Sequence, residues 1–237
     1  TPDRAPPPAD RVEAIRAIWA RSETDAWGVG ESGVAIRWNG EGWSRVPSGA
    51  QETLRAVWGR GANDLWAVGD DGAAVHWDGK AFTRFPTPAM GKPGHHNLSR
   101  DTTIEIPPDG RGNLSGVWGS SANDVWAVGG PRATGGGIHC FGSGSGLEPA
   151  KIDWGKALLH WDGKSWRAVP TGDVIRLNAI WGRARDDVWA LGDNTLMHFD
   201  GKAWSKRTLS GAQRDRLDLQ GNASELTCPY HGWTYDL

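Results

Sequence analysis

The apolar positions of this chain come in short runs, such as LWAV at 65–68 and ALLH at 157–160, each followed by a turn that contains glycine. Runs this brief, rich in Val and Trp and bounded by Gly, Asn and Asp, predict strands rather than helices. They alternate poorly between apolar and polar, so both faces of the resulting sheets need cover. Between residues 54 and 85 the pattern predicts four strands near 54–58, 64–69, 73–77 and 81–85. The last two flank Asp78-Gly79, a strong hairpin signal, and a second glycine turn, VGDDG, separates the middle pair.

The same sentence is spelled four times. Its first aromatic falls at Trp19, Trp58, Trp118 and Trp181, and its second at Trp27, Trp66, Trp126 and Trp189. An aspartate stands two residues before the second mark, at Asp25, Asp64, Asp124 and Asp187. The third mark is Trp38, Trp77, Trp161 and Phe199, and the fourth is Trp43, Phe82, Trp166 and Trp204. Asn39-Gly40, Asp78-Gly79, Asp162-Gly163 and Asp200-Gly201 lie between the last two marks. Copies one and two are offset by 39 residues, a length that suits four short strands and their turns.

A lone four-stranded sheet leaves two apolar faces bare. Stacking several about one axis covers them, which predicts an all-β fold, a β-propeller of four-stranded antiparallel blades. The expected blades are about 17–53, 54–113, 114–176 and 177–210, within a single domain spanning 11–237. Four copies close a ring, or a fifth blade closes it from the termini, with GNASELT at 221–227 faintly echoing SSANDVW and residues 11–16 adding a strand. Residues 211–237 are then a closing or irregular segment.

The pattern VWG, DVWAVG, HWDG and a following Trp resembles the Trp/Gly-rich propeller repeats of exported bacterial proteins. Its D-G-x-x-W hairpin is loosely similar to the Asp-box of sialidase-like propellers. This resemblance covers about residues 17–210 and implies architecture, with almost nothing about activity.

Composition sharpens the picture at a few points. The 237 residues include 34 Gly and 16 Trp against four Phe and two Tyr, as expected for many tight turns between strands that bury large flat rings. A net charge of −2 gives no electrostatic footprint for nucleic acid or an anionic membrane, so neither is an expected partner. No apolar run approaches a membrane span. The opening TPDRAPPPAD predicts an extended Pro-rich tether over 1–10, of the kind left when a signal peptide or lipid-anchor region is removed. An exported location, whether periplasmic, cell-surface or extracellular, is therefore expected.

Whatever recurs four times is expected to be framework. The Trp residues are read as layers between blades, and each repeated Asp as the cap of a turn through its carboxylate. His76, His160 and His198 share one repeat slot that holds Arg37 in the first copy, which points to packing or a hydrogen bond rather than a metal.

Breaks in the repeat are the better guide to function, since binding residues favour loops on a rigid scaffold. Phe82 and Trp118 are 36 residues apart where Trp43 and Trp58 are 15, and Trp126 and Trp161 are 35 apart where Trp66 and Trp77 are 11. The two insertions, 87–112 and 130–153, join strands four to one and two to three. In an up-and-down blade both connections emerge at the same end. They carry His95, His96, Asp101, Arg132 and His139, with Cys140 beside them and Trp154 just after, a mixture suited to a polar ligand on an aromatic platform. Two bare surface loops are the alternative reading. His95, His96 and His139 match no common zinc spacing, and a hydrolase on this face would have to use Asp101, Glu105 or Asp109, which lie in one loop without a matching partner.

The tail is discordant. Cys228-Pro-Tyr-His231-Gly-Trp233 resembles the second ligand loop of the Rieske iron–sulfur domain in ring-hydroxylating oxygenases, which implies that Cys228 and His231 each bind one iron of a [2Fe–2S] cluster. Such a centre needs two Cys and two His, yet residues 205–227 contain neither, and His139-Cys140 is in the wrong order and too distant. No metal and no cofactor are therefore expected, with [2Fe–2S] as the alternative. A disulfide between Cys140 and Cys228 would tie the third-blade loop to the tail. The function expected is non-enzymatic recognition of a carbohydrate or a protein on the insertion face, against a hydrolase or a piece of an oxygenase.

Overall fold

A computed structural model of the chain describes residues 13–90, 94–97, 103–106, 111–130, 157–172, 174, 176–192, 195–207, 225–227 and 234–236. Sixteen strands fall into four antiparallel sheets with their strands in sequence order. The first blade holds β1 (Ile15–Ser22), β2 (Asp25–Gly30), β3 (Ala35–Trp38) and β4 (Trp43–Arg45). The second holds β5 (Leu54–Gly61), β6 (Asp64–Gly69), β7 (Ala74–Trp77) and β8 (Phe82–Arg84). Two further strands, β9 (Gly94–Asn97) and β10 (Thr103–Ile106), form a hairpin of their own inside the first insertion. The third blade is β11 (Asn113–Ser121), β12 (Asp124–Gly130), β13 (Leu158–Trp161) and β14 (Trp166–Val169), and the fourth is β15 (Ala179–Ala184), β16 (Asp187–Gly192), β17 (Thr195–Phe199) and β18 (Trp204–Arg207). In the tail, β19 (Glu225–Thr227) pairs only with β20 (Thr234–Asp236), so no fifth four-stranded sheet exists among the described residues. Ile15 and Arg16, expected as spare closing residues, belong to β1 of the first blade.

The turns follow from their residues. Between the third and fourth strands the side-chain oxygen of Asn39, Asp78, Asp162 or Asp200 accepts two backbone N–H groups at 2.8–3.0 Å, as Asp78 does from Lys80 and Ala81. The next residue needs a positive φ, 98° at Gly40 and 96° at Gly79, which glycine adopts without strain.

Successive first strands pack side by side: β1 on β5, β5 on β11 and β11 on β15. The blades therefore gather about their first strands, with the fourth strands outermost. Each of the first three blades presents its second-strand indole to the aromatic pair on strands three and four of the next. Trp27 meets Trp77 and Phe82 with ring centroids 5.0 and 5.5 Å apart, Trp66 meets Trp161 and Trp166 at 5.0 and 5.1 Å, and Trp126 meets Phe199 and Trp204 at 5.2 and 5.3 Å. Tilted and edge-on pairs at these separations are the favoured aromatic geometry, and they add to the area buried. Leu54, Leu114 and Leu177 are fully buried beneath the same contacts.

Close approach of the first strands depends on glycine. A Cβ added to Gly59 would stand 2.8 Å from the Trp19 ring, one on Gly119 2.8 Å from Trp58, and one on Gly182 2.5 Å from Trp118. Only a residue without a side chain lets the preceding blade's indole lie flat on the next strand.

Candidate functional site

Strand geometry places the repeated Asp, Trp and His on one face. Asp64 and Trp66 are two apart on β6, and His76 on β7 stands directly opposite Trp66. His76 Nε2 lies 2.8 Å from Asp64 Oδ1, His160 Nε2 2.7 Å from Asp124 Oδ1 and His198 Nε2 3.0 Å from Asp187 Oδ1. An ionised carboxylate only accepts, so each Nε2 carries the proton. His160 and His198 also stack on Trp126 and Trp189 at 4.0 and 4.1 Å, and His76 lies tilted against Trp66 at 4.7 Å. In the first blade Arg37 does both jobs, donating to Asp25 at 3.2 Å and lying 5.3 Å over Trp27.

These aspartates do not cap turns as the sequence led us to expect. Their carboxylates instead take side-chain donors: beyond the His or Arg, Arg21, Arg60 and Arg183 reach Asp25, Asp64 and Asp187, and Ser120 donates to Asp124. The reason is that they sit on the second strand itself, aimed at the third, rather than in the turn. The His76 hydrogen bond holds the Asp64 carboxyl below the usual range. Burial pushes Asp124 upward, but the donors His160 and Ser120 bring it below its usual value all the same. The assembly recurs in every blade and is a structural clamp.

The distinctive region lies at the end of the second and third blades where the insertions leave. Asn113, which ends the first insertion, pairs across the sheet with Gly130, where the second begins. Gly112 accepts the Gly72 N–H at 2.8 Å, and Asn113 Oδ1 accepts the Asp71 N–H at 3.2 Å, tying this stem to the turn of the second blade. Gly129 accepts the Leu177 N–H at 2.9 Å, tying the other stem to the fourth blade. Beside them Gly72, Arg84, Phe85, Pro86, Thr87 and Arg111 line a depression of about 210 Å³. A groove of about 420 Å³ occupies the same repeat position in the first blade, between Ser32 and Ala50. The first two blades thus share the groove, and the one in the second blade adjoins the stem of the first insertion at Arg111.

The nominated site residues can be placed only in part. His95 and His96 lie on β9, and Glu105 on β10 is opposite His95 in the backbone register. Asp101, Asp109, Arg132, His139, Cys140, Trp154, Cys228 and His231 lie outside the described residues, and with them the proposed disulfide and cluster ligands. Among the described residues no three His, Cys, Asp or Glu side chains converge as a metal site. The stem residues Gly112, Asn113 and Gly130 escaped the sequence reading, although the abrupt change in repeat length at both positions marks where they had to be.

No family model and no curated protein matches the sequence. Solved structures do. The WD40 repeats of RRP9 superpose with a TM-score of 0.52 at 10% identity, over 84% of this chain and 52% of that one. U3-55K gives 0.52 at 10%, over 84% and 53%, and the C-terminal WD40 domain of Sif2 gives 0.45 at 13%, over 86% and 61%. The chain spans about half the length of the first two. At such low identity the first two show the fold alone: this is an all-β chain of four-stranded antiparallel propeller blades.

Proposed function

We propose that the chain is a non-enzymatic recognition scaffold, and that it holds a protein partner at the end of the second and third blades that bears insertions 87–112 and 130–153. The observation that carries this reading is the pairing of Asn113 with Gly130, which roots two independent enlargements of the repeat side by side on a rigid sheet. A groove near 210 Å³ is smaller than the roughly 300 Å³ at which small-molecule pockets begin, and suits a side chain or a peptide turn better than a buried ligand. His95, His96, Asp101, Arg132, His139 and Trp154 are the insertion residues proposed to contact the partner.

The test replaces residues 87–112 with the short SGAQE connection (48–52) of the first blade, and in a second variant trims 131–156 to a turn. Pull-downs from native lysate with the intact chain and both variants are compared beside a glycan array. Proteins captured by the intact chain and lost from both variants, whose circular dichroism is unchanged, are the expected result. Capture indifferent to both replacements, or glycan binding alone, overturns the reading.

A further inference from the structure

The four blades do not close on themselves: among the described residues, no packing like that of β1 on β5 joins β15 back to β1. Among the described residues, the first and fourth blades therefore each keep one face on which no other blade packs. The large apolar side chains left exposed among the described residues are Ile15, Ile18, Trp43 and Trp181, at 37%, 65%, 48% and 59%, and all lie on these two blades.

Their repeat equivalents identify what is missing. Ile15 stands where Leu54, Leu114 and Leu177 are fully buried by the preceding blade. Trp43 stands where Phe82, Trp166 and Trp204 receive the preceding blade's indole, and among the described residues its ring neighbour is Trp38 of its own sheet. Among the described residues, no indole enters the receiving aromatic pair of the first blade. On the fourth blade, Trp181 stands where Trp19, Trp58 and Trp118 lie on the next blade's glycine. Trp189 stands where Trp27, Trp66 and Trp126 enter the next aromatic pair, with indole N–H groups enclosed and without an acceptor. Trp189 instead donates to its own Asp187 at 2.9 Å.

The two free faces are the two halves of an interface that the chain already builds three times. We propose that they meet between molecules: the fourth blade of one copy packs on the first blade of a second, and the reciprocal contact closes a ring of two copies. An interface of unlike faces generates a closed ring or an open filament according to the rotation per subunit. The chain spans about half the length of the WD40 chains it superposes on, so two copies together supply about the length of one such chain. Eight blades lie within the usual range of closed propellers. This surface is distinct from the insertion face and does not depend on it.

One position fits imperfectly. The partner strand for Trp181 has Ala20 where the second, third and fourth blades have Gly59, Gly119 and Gly182. A Cβ there pushes the Trp181 indole off the strand, so the contact between copies is weaker than those within a chain.

Sedimentation velocity of the full chain across a concentration series tests this. The expected result is a monomer–dimer equilibrium. Trp181→Ala and Ile18→Asp, both at exposed positions, raise its Kd by about tenfold or more as a large apolar contact is lost, and Ala20→Gly lowers it. A single monomeric species for both the native chain and Ala20→Gly overturns the proposal, whatever then covers Trp181. So does a dimer whose Kd ignores Trp181→Ala and Ile18→Asp, or a ladder of trimers and longer species, which would mean that the ring does not close.

Discussion

Trp118 of the third blade lies so close over Gly182 of the fourth that a Cβ there would stand 2.5 Å from the indole Cη2. That contact, with its two counterparts, sets the spacing of the blades. Gly182→Ala and Gly119→Ala are therefore expected to destabilise the fold by about 1–3 kcal/mol each, the usual range for forcing extra atoms into a packed core. Gly61→Ala, with open space around its Cβ, is the control. Urea denaturation of the three variants decides the matter, and equal midpoints would refute the packing argument.

The clamp formed by Asp124, His160 and Trp126 makes a second prediction. Asp124 is only 5% exposed, and His160→Ala leaves its Oδ1 without a donor while removing the stacked ring. A loss of about 1–3 kcal/mol follows for such a buried acceptor. His160→Arg reproduces the pairing of Arg37 with Asp25 in the first blade and should recover most of that loss. Failure of arginine to do better than alanine would mean that the slot is filled for its shape alone.

Acid should unfold this chain in a defined window. Glu52 is brought down from 4.5 to about 2, chiefly by its paired hydrogen bonds with Arg84 at 2.7 Å. Asp64 and Asp124 are likewise depressed. A carboxylate whose folded value lies below its unfolded one contributes stability above the unfolded value and loses it as pH falls through the folded one. Unfolding free energies at descending pH should accordingly drop between about 4.5 and 2, and Glu52→Gln should flatten part of that slope. A profile unchanged by Glu52→Gln would dismiss the pair as a contributor.

The hairpin loops allow a simple exchange. Asn39 in the first blade accepts the same two backbone N–H groups that Asp162 accepts in the third. Asp162→Asn should then keep the melting temperature and make it less sensitive to acid, whereas Asp162→Ala should lower it. If asparagine proves as harmful as alanine, the carboxylate's charge matters more than its acceptor geometry.

Much of this could be read from the residues because the information was local and repeated. The four strands expected between 54 and 85 appear at Leu54–Gly61, Asp64–Gly69, Ala74–Trp77 and Phe82–Arg84, since turn glycines and short apolar runs act within a few residues of one another. The shared slot of His76, His160, His198 and Arg37 was legible as a hydrogen-bonding position for the same reason. The role of the repeated aspartates was misread because a turn cap and a cross-strand partner differ only in where the neighbouring strand lies. The insertion residues were recognisable by their break in period, but which side chains they bring together is not a property of spacing.

By itself, then, the amino-acid order determined the unit: a twisted sheet of four short strands with apolar faces on both sides, written four times, because strand period and turn chemistry are settled within a dozen residues. Only the tertiary structure decided how those units meet. Whether Trp27 finds Trp77 and Phe82, whether Gly182 admits Trp118, and whether the fourth blade returns to the first all depend on an angle accumulated across successive interfaces, to which each residue contributes only a small part. Trp181 carries the same letter as the half-buried Trp19, Trp58 and Trp118, and only its place at the end of the arc leaves it exposed.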